Sequence, residues 1–439
     1  MSEIATYLEQ NAAKFEEDLK RLLRIPSVST SEEHKPDMLA CAQEVVRQLH
    51  KAGIPKAEIM PTPGHPIVYA ESEQLPNRPT LLIYGHYDVQ PEDPLDEWET
   101  PPFEPSIRDG KIYARGASDD KGQFIIHLKA AQTLNALGQL PVNLKFCIEG
   151  EEECGSPSLD PWIREHAELL KADVLVISDT TMYGPGQPSL LYGLRGLAYL
   201  EVEVKGGDSD MHSGMFGGAV PNPINELCRI IAALKDENYH ITVPGFYDKV
   251  RPLTEEEREE WRKLNFDDEE YRKLVGAPAL CGEKGFTSIE RRWARPTLDV
   301  NGIWGGFTGE GAKTVIPSKA YAKISCRLVS PAVEVKVSFH HGGAPWMTSP
   351  DAPVLQAANI AAQKAWKATP VKVREGGSIP IVSTFTQVLQ VPAVLLGIGL
   401  EDEQIHAPNE HLSLENFHAG IAASAYLMQE IAALPEFKK

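Results

Sequence analysis

His86 and Asp88 stand two residues apart, just after the short apolar run Thr80-Leu81-Leu82-Ile83-Tyr84. At a strand end, residues spaced by two point to the same side. An imidazole there can donate nitrogen to zinc or a similar metal, and a carboxylate beside it can hold the other ring nitrogen and fix its tautomer. Asp119 and Asp120 follow in Gly-Ala-Ser-Asp-Asp-Lys-Gly, ahead of an expected helix. Acids in that position suit an N-cap and equally a metal bridge, because one carboxylate can join two cations about 3.5–4 Å apart. The triplet Glu151-Glu152-Glu153 follows the apolar run 144–148, and Asp179 repeats the placement after Val174-Leu175-Val176-Ile177-Ser178. One glutamate of the triplet can bind metal while its neighbour takes a proton from water. His406, in a polar loop after 394–397, is the late histidine best placed to close such a site. Each feature alone also reads as a solvated turn. Together they put nitrogen and oxygen donors after several strand ends, where open sheets place ligands. That donor set favours zinc, manganese or cobalt over a metal that demands thiolates.

The elements that must carry these residues follow from periodicity. Helical spacing of apolar residues predicts helices over 4–23 and 38–52, and further helices over 121–137, near 158–170, over 352–367 and over 414–434. Short apolar runs predict buried strands at 80–84, 144–148, 174–178, 371–374 and 393–397, with 90–110 as a polar loop. Strands alternating with helices predict an α/β fold: a catalytic domain layered αβα around a largely parallel sheet. The pattern changes near Gly193. Residues 197–204 alternate with period two, a helix is expected over 224–235, surface helices over 248–275, and strands at 320–328 and 333–339. We therefore expect residues 194–345 to form an inserted α+β domain, with 1–193 and 346–439 as the two parts of the catalytic domain.

Length and composition bound the rest. A chain of 439 residues exceeds one ordinary hydrophobic core. The formal net charge of -19 repels phosphate backbones, so nucleic acid is not an expected partner. The 6 cysteines are scattered with no C-x-x-C pair, no apolar leader follows Met1, and no long apolar stretch reads as a membrane span. A cytoplasmic location is the expectation. No Gly-x-Gly-x-x-Gly fingerprint or Walker A sequence supports nucleotide binding.

On these residues the sequence resembles the M20 metallopeptidase family and is most similar to its carnosinase-like, cytosolic non-specific dipeptidase branch. The resemblance rests on Gly85-His86-Tyr87-Asp88-Val89-Gln90-Pro91, Arg115-Gly116-Ala117-Ser118-Asp119-Asp120-Lys121-Gly122 and Glu151-Glu152-Glu153-Cys154-Gly155-Ser156. It extends to His212-Ser213-Gly214, Thr314-Val315-Ile316-Pro317 and Arg374-Glu375-Gly376-Gly377-Ser378-Ile379-Pro380. It implies two divalent metal ions per subunit, zinc first and manganese or cobalt as alternatives. His86 and Asp179 would hold one, Glu153 and His406 the other, with Asp119 bridging. Asp88 would orient His86 and Glu152 would be the general base, since the family's Glu-Glu-x-Gly pattern counted back from Gly155 leaves Glu151 out. The inserted domain would be a lid and dimerisation domain. His212 would reach the active site of the other subunit in a homodimer, and Arg327, Thr314, His341 and Ser378 would contact a small peptide substrate. The implied reaction is hydrolysis of dipeptides or other very short peptides with a free C-terminus. An N-acyl amino acid deacylase, a desuccinylase or a glutamate-releasing carboxypeptidase would share the same metal core, and a catalytically dead scaffold would lack part of it.

Overall fold

The computed structural model describes residues 2–329 and 339–437, the side chains of 339–341 excepted. The chain divides into two compact units: Met1–Tyr192 with Thr348–Val373 and Thr384–Lys439, and Gly193–Met347 with Arg374–Ser383.

The first unit is built on a mixed sheet with a parallel heart. Strand Thr80–His86 runs parallel to Asn143–Glu149 on one side and to Val174–Ile177 on the other, and Ala393–Leu395 runs parallel to Val174–Ile177. Lys56–Met60 and Ile67–Glu71 extend the sheet antiparallel beyond Asn143–Glu149. Val174–Ile177 is apolar throughout and Leu81–Tyr84 is an unbroken buried run because both faces of the central sheet are covered. Leu81 and Ile83 join the large core formed with helices Glu3–Leu23, Lys35–Lys51, Lys121–Ala136, Pro353–Trp366 and Leu414–Ala432. Tyr84, on the opposite face, meets Phe385 edge-on with ring centroids 5.5 Å apart. Each such fully buried Leu, Ile or Phe contributes roughly 1.5–3 kcal/mol. The expected αβα layering around a mostly parallel sheet is what the molecule has.

Some elements differ from those expected. The strand expected at 80–84 continues through His86, so that histidine is the strand's last residue. The stretch near 158–170 is two short helices, Leu159–Glu165 and Ala167–Leu170. Within the expected polar loop, Ser106–Arg108 pairs with Lys111–Tyr113, which pairs in turn with His411–Ser413. No helix among the described residues is long and apolar enough to cross a membrane.

In the second unit, strands Thr297–Gly305, Lys319–Leu328, Gly196–Lys205 and Phe339–Gly343 form an antiparallel sheet in that order. Helix Pro223–Ala233 covers it: Leu227 packs with Ala198, Leu298, Ala320, Ala322 and Ile324. Of the strand expected at 333–339, residues 333–338 lie outside the described residues. Segment Arg374–Ser383 belongs with this unit, although the helix–strand pattern had placed all of 346–439 in the other. Arg195 is the physical reason. Its Nε donates to Gly376 O at 3.0 Å, and its carbonyl accepts from Ser378 Oγ at 2.5 Å. Arg374 also meets Glu257 of helix Glu255–Arg262.

Candidate metal centre

Strand ends deliver most of the donors. His86 closes strand Thr80–His86, the triplet follows Asn143–Glu149, and Asp179 follows Val174–Ile177. Asp119 precedes helix Lys121–Ala136, and His406 sits in the loop before strand His411–Ser413. This chain path yields two groups of donors: His86, Asp119 and Asp179, and Asp119, Glu153 and His406, each with ligand atoms all within 4.8 Å of one another. Asp119 belongs to both. His86 Nε2 lies 3.0 Å from Asp119 Oδ1 and 4.0 Å from Asp179 Oδ2. His406 Nε2 lies 3.0 Å from Asp119 Oδ2 and 3.2 Å from Glu153 Oε2.

Neighbouring groups aim these side chains. His86 Nδ1 is 3.1 Å from the Asp88 carbonyl, which can only accept, so that nitrogen carries a proton and Nε2 is the atom turned toward Asp119 and Asp179. The Asp88 carboxylate lies 3.3 Å from Nδ1 and also accepts from the backbone amides of Glu152 (3.2 Å) and Glu153 (3.1 Å). One buried side chain thus serves both the histidine and the glutamate turn. Asp120 falls outside the donor groups and accepts from His86 N at 3.1 Å. A Cβ on Gly85 would come within 2.8 Å of that Asp120 carboxylate and 2.4 Å of Phe124 Cβ, so this junction requires glycine. Gln90 Nε2 donates to Glu153 Oε2 at 2.8 Å. Glu151, the member of the triplet outside the donor groups, accepts from His65 N (3.0 Å) and Ser158 N (3.1 Å) and holds a loop.

The electrostatics fit divalent cations. His86 Nε2 is buried without a hydrogen-bond partner, although it faces a carboxylate oxygen. Burial and like charge push Asp179 well above the usual carboxylate range and raise Glu153 as well. Glu152 is pushed up to about 8, mainly by burial, with His86 opposing and Glu153 and Asp119 adding to the rise. Asp119 is held low against its burial by His406 and His86. His406 is pushed up to about 10 by Asp119 and Glu153. So many carboxylates cannot stay ionised together on two imidazolium protons alone. Cations between His86, Asp119, Asp179, Glu153 and His406 would supply the missing charge.

The other expected site residues lie in the second unit. His212 is exposed; its Nδ1 accepts from Gly214 N at 3.0 Å, and Thr314 Oγ1 lies 3.5 Å from its Nε2. Strand pairing of His212 with Val315 brings those two residues together. Half-buried Arg327 lies on Lys319–Leu328 across from Leu197; burial lowers its pKa and Asp299 opposes that. Ser378 is tied to Arg195. His341 lies on Phe339–Gly343, with its side chain outside what is described. Of the two acids singled out ahead of the helix, Asp119 joins the donor groups and Asp120 does not. Gln90 and the Glu403 and Glu410 carboxylates were not foreseen. Of these only Gln90 carried a sequence signal, its place in the run that begins at Gly85.

Residues 82–430 match the sequence profile of Peptidase family M20/M25/M40. The Cys-Gly metallodipeptidase dug1 of Schizosaccharomyces pombe is 36% identical over 463 residues, covering 97% of this chain and 97% of that protein. Human carnosine dipeptidase 1 superposes with a TM-score of 0.84 at 32% identity, covering 98% of each chain. The M20 metallo-carboxypeptidase Sso-CP2 of Sulfolobus solfataricus gives 0.86 at 34% identity, covering 95% of this chain and 98% of that one. A profile match across most of the sequence, joined to relatives of this identity along nearly its full length, establishes that the chain belongs to peptidase family M20, in its carnosinase-like dipeptidase branch.

Proposed function

We propose that the protein hydrolyses the amide bond of dipeptides and other very short peptides that carry a free C-terminal carboxylate, with two divalent metal ions in each subunit. His86 and Asp179 would hold one ion and Glu153 and His406 the other, with Asp119 shared between them. The observation that carries this reading is the sharing of Asp119 between two donor groups, with the buried Glu152 carboxyl, pushed up to about 8, beside them. When bound, the cations lower the pKa of a water and polarise the scissile carbonyl. Glu152 takes the proton of that water and passes it to the leaving amine. Asp88 keeps the His86 tautomer that leaves Nε2 free. His212 donates to the oxygen on which charge develops, acting from the neighbouring subunit of a homodimer. Arg327 pairs with the C-terminal carboxylate in a bidentate fashion, and Thr314, His341 and Ser378 line the substrate's path. The inserted unit serves as lid and dimerisation domain. Zinc suits the donor set best, with manganese or cobalt next.

The test is amine release from dipeptides, longer peptides, and N-acetyl and N-succinyl amino acids. The protein is first stripped of metal, then resupplied with zinc, manganese or cobalt. Turnover of dipeptides that disappears in the stripped sample is the expected result. The similarity to a metallo-carboxypeptidase favours one second reading, removal of a C-terminal residue from longer peptides. Turnover confined to those longer peptides would establish it. Turnover confined to N-acyl amino acids would instead mark a deacylase. No metal-dependent turnover anywhere in the panel would sink the hydrolase reading.

A further inference from the structure

Two buried carboxylates of the first unit, Glu410 and Glu403, lie outside the candidate donor groups. Glu410 is 1% exposed, as is its ion-pair partner Arg115 at 2.8 Å. Its Oε1 accepts from the amides of Ser118 (2.9 Å) and Asp119 (3.0 Å), and its Oε2 accepts from Gly116 N (3.0 Å). Its carbonyl accepts from Ala114 N at 3.1 Å. Glu403, also fully buried, accepts from Ser118 Oγ at 2.6 Å and from the amides of Leu400 (2.9 Å) and Ser413 (3.0 Å). Arg115 reaches onward, donating to Pro91 O at 3.0 Å.

These bonds join distant stretches of sequence. Residues 114–119 carry the shared Asp119, residues 403–413 carry His406, and Pro91 ends the stretch that begins with His86. The His406 loop needs such support. Gln404, His406 and Asn409 all take positive φ, at 55°, 62° and 64°. That conformation is unfavourable for a residue with a Cβ. A loop so bent persists where its surroundings hold both ends, and Glu403 and Glu410 do so.

We propose that Glu410, with Glu403 as its companion, is a positioning residue. It fixes the 114–119 and 403–413 loops to each other so that Asp119 and His406 face one cation at the correct spacing. The carboxylate is needed rather than any polar group, because every partner of its oxygens is a donor. An amide at this position would turn donors against donors on one side. This inference rests on the two-metal reading above.

The experiment titrates metal-stripped protein with Zn2+ against a chromophoric chelator and compares wild type with Glu410→Gln. Melting of the metal-free samples and kcat and KM of the reloaded ones are followed in parallel. The expected result is zinc affinity about 10- to 100-fold weaker in Glu410→Gln, with kcat reduced and KM little changed. Simple destabilisation would lower the metal-free melting temperature and leave the affinity of the folded protein unmoved. Ser118→Ala, which deletes only the hydroxyl bond to Glu403, provides the same test if Glu410→Gln does not fold, with a smaller loss in the same direction. Folded variants that bind zinc as wild type does would overturn this inference alone. Wild-type protein that takes up no zinc would overturn the two-metal reading and this inference together.

Discussion

At the residue scale, the glutamate triplet divides its labour. Glu151 holds backbone amides, Glu153 faces His406, and Glu152 stands beside both donor groups without a fixed partner of its own. Glu152→Gln should therefore lower kcat about 100-fold or more while leaving metal uptake and melting near wild type. Glu151→Gln should lower the melting temperature but keep kcat within a few-fold, and steady-state kinetics with a melting curve separates the two. His127 illustrates a different kind of buried polar residue. Its ring nitrogens lie 2.8 Å from Ser424 Oγ and 2.8 Å from Ser178 Oγ, and burial pushes its pKa down to about 3. The ring is neutral in the folded chain and protonates first when unfolded, near pH 6.5. Its contribution is complete above pH 6.5 and is lost as pH falls toward 3, roughly 5 kcal/mol in all. Melting between pH 8 and 4 should fall less steeply in His127→Gln than in wild type. Equal slopes would show that this histidine does not set the acid limb.

At the element scale, helices Glu3–Leu23, Lys35–Lys51 and Lys121–Ala136 are joined by more than apolar packing. Asp18 of the first accepts from Lys51 at the end of the second (2.6 Å) and from Lys129 of the third (2.8 Å). Burial pushes Lys129 down to about 8 against the pull of Asp18. Asp18→Asn would strip buried Lys129 of its counter-charge, so that it stays charged unpaired or gives up its proton, at a cost of roughly 3–5 kcal/mol. The melting temperature of metal-free protein should drop accordingly, with turnover at low temperature preserved. These helices and the central strands were legible because their burial is written as period: a 3.6-residue stripe, or an unbroken run such as Leu81 to Tyr84. Lys56–Met60 was not, since its alternation of Lys56, Ala57, Glu58 and Ile59 is brief and sets only a small alanine and one isoleucine on the inner side. Ser106–Arg108, Lys111–Tyr113 and His411–Ser413 are too short to show a period. The candidate donors were legible as residue types at strand ends. Glu403 and Glu410 were not: Glu410 is met by backbone amides far away in the sequence and Glu403 by two nearby amides and a distant hydroxyl, and an amide leaves no trace in residue identity.

At the scale of the whole molecule, the inserted unit presents apolar side chains to solvent. Val300, Ile303 and Trp304, on the edge strand Thr297–Gly305, are 39%, 51% and 43% exposed. An open apolar edge is a natural place for a second copy to pair. If His212 acts across such a pairing, a mixture of inactive Glu152→Gln and inactive His212→Ala subunits should regain activity. A random equal mixture places one intact site in each mixed dimer, so recovery should approach roughly a quarter of wild type. No recovery after subunit exchange, verified by sedimentation, would confine His212 to its own subunit or remove it from the reaction.

Strand Ala393–Leu395 lies against Val174–Ile177, although the whole inserted unit comes between them in the chain. On a ribosome adding about 5–20 residues per second, the earlier strand waits on the order of ten seconds or longer for its neighbour. During that interval one edge of the parallel sheet stays open, while the antiparallel strands of the inserted unit have nearly all emerged and can fold first. His406 emerges later still. The nascent chain would thus carry His86, Asp119, Glu153 and Asp179 through most of its synthesis without the partner that completes the second donor group, and capture of a second cation would become a late event in the birth of the molecule.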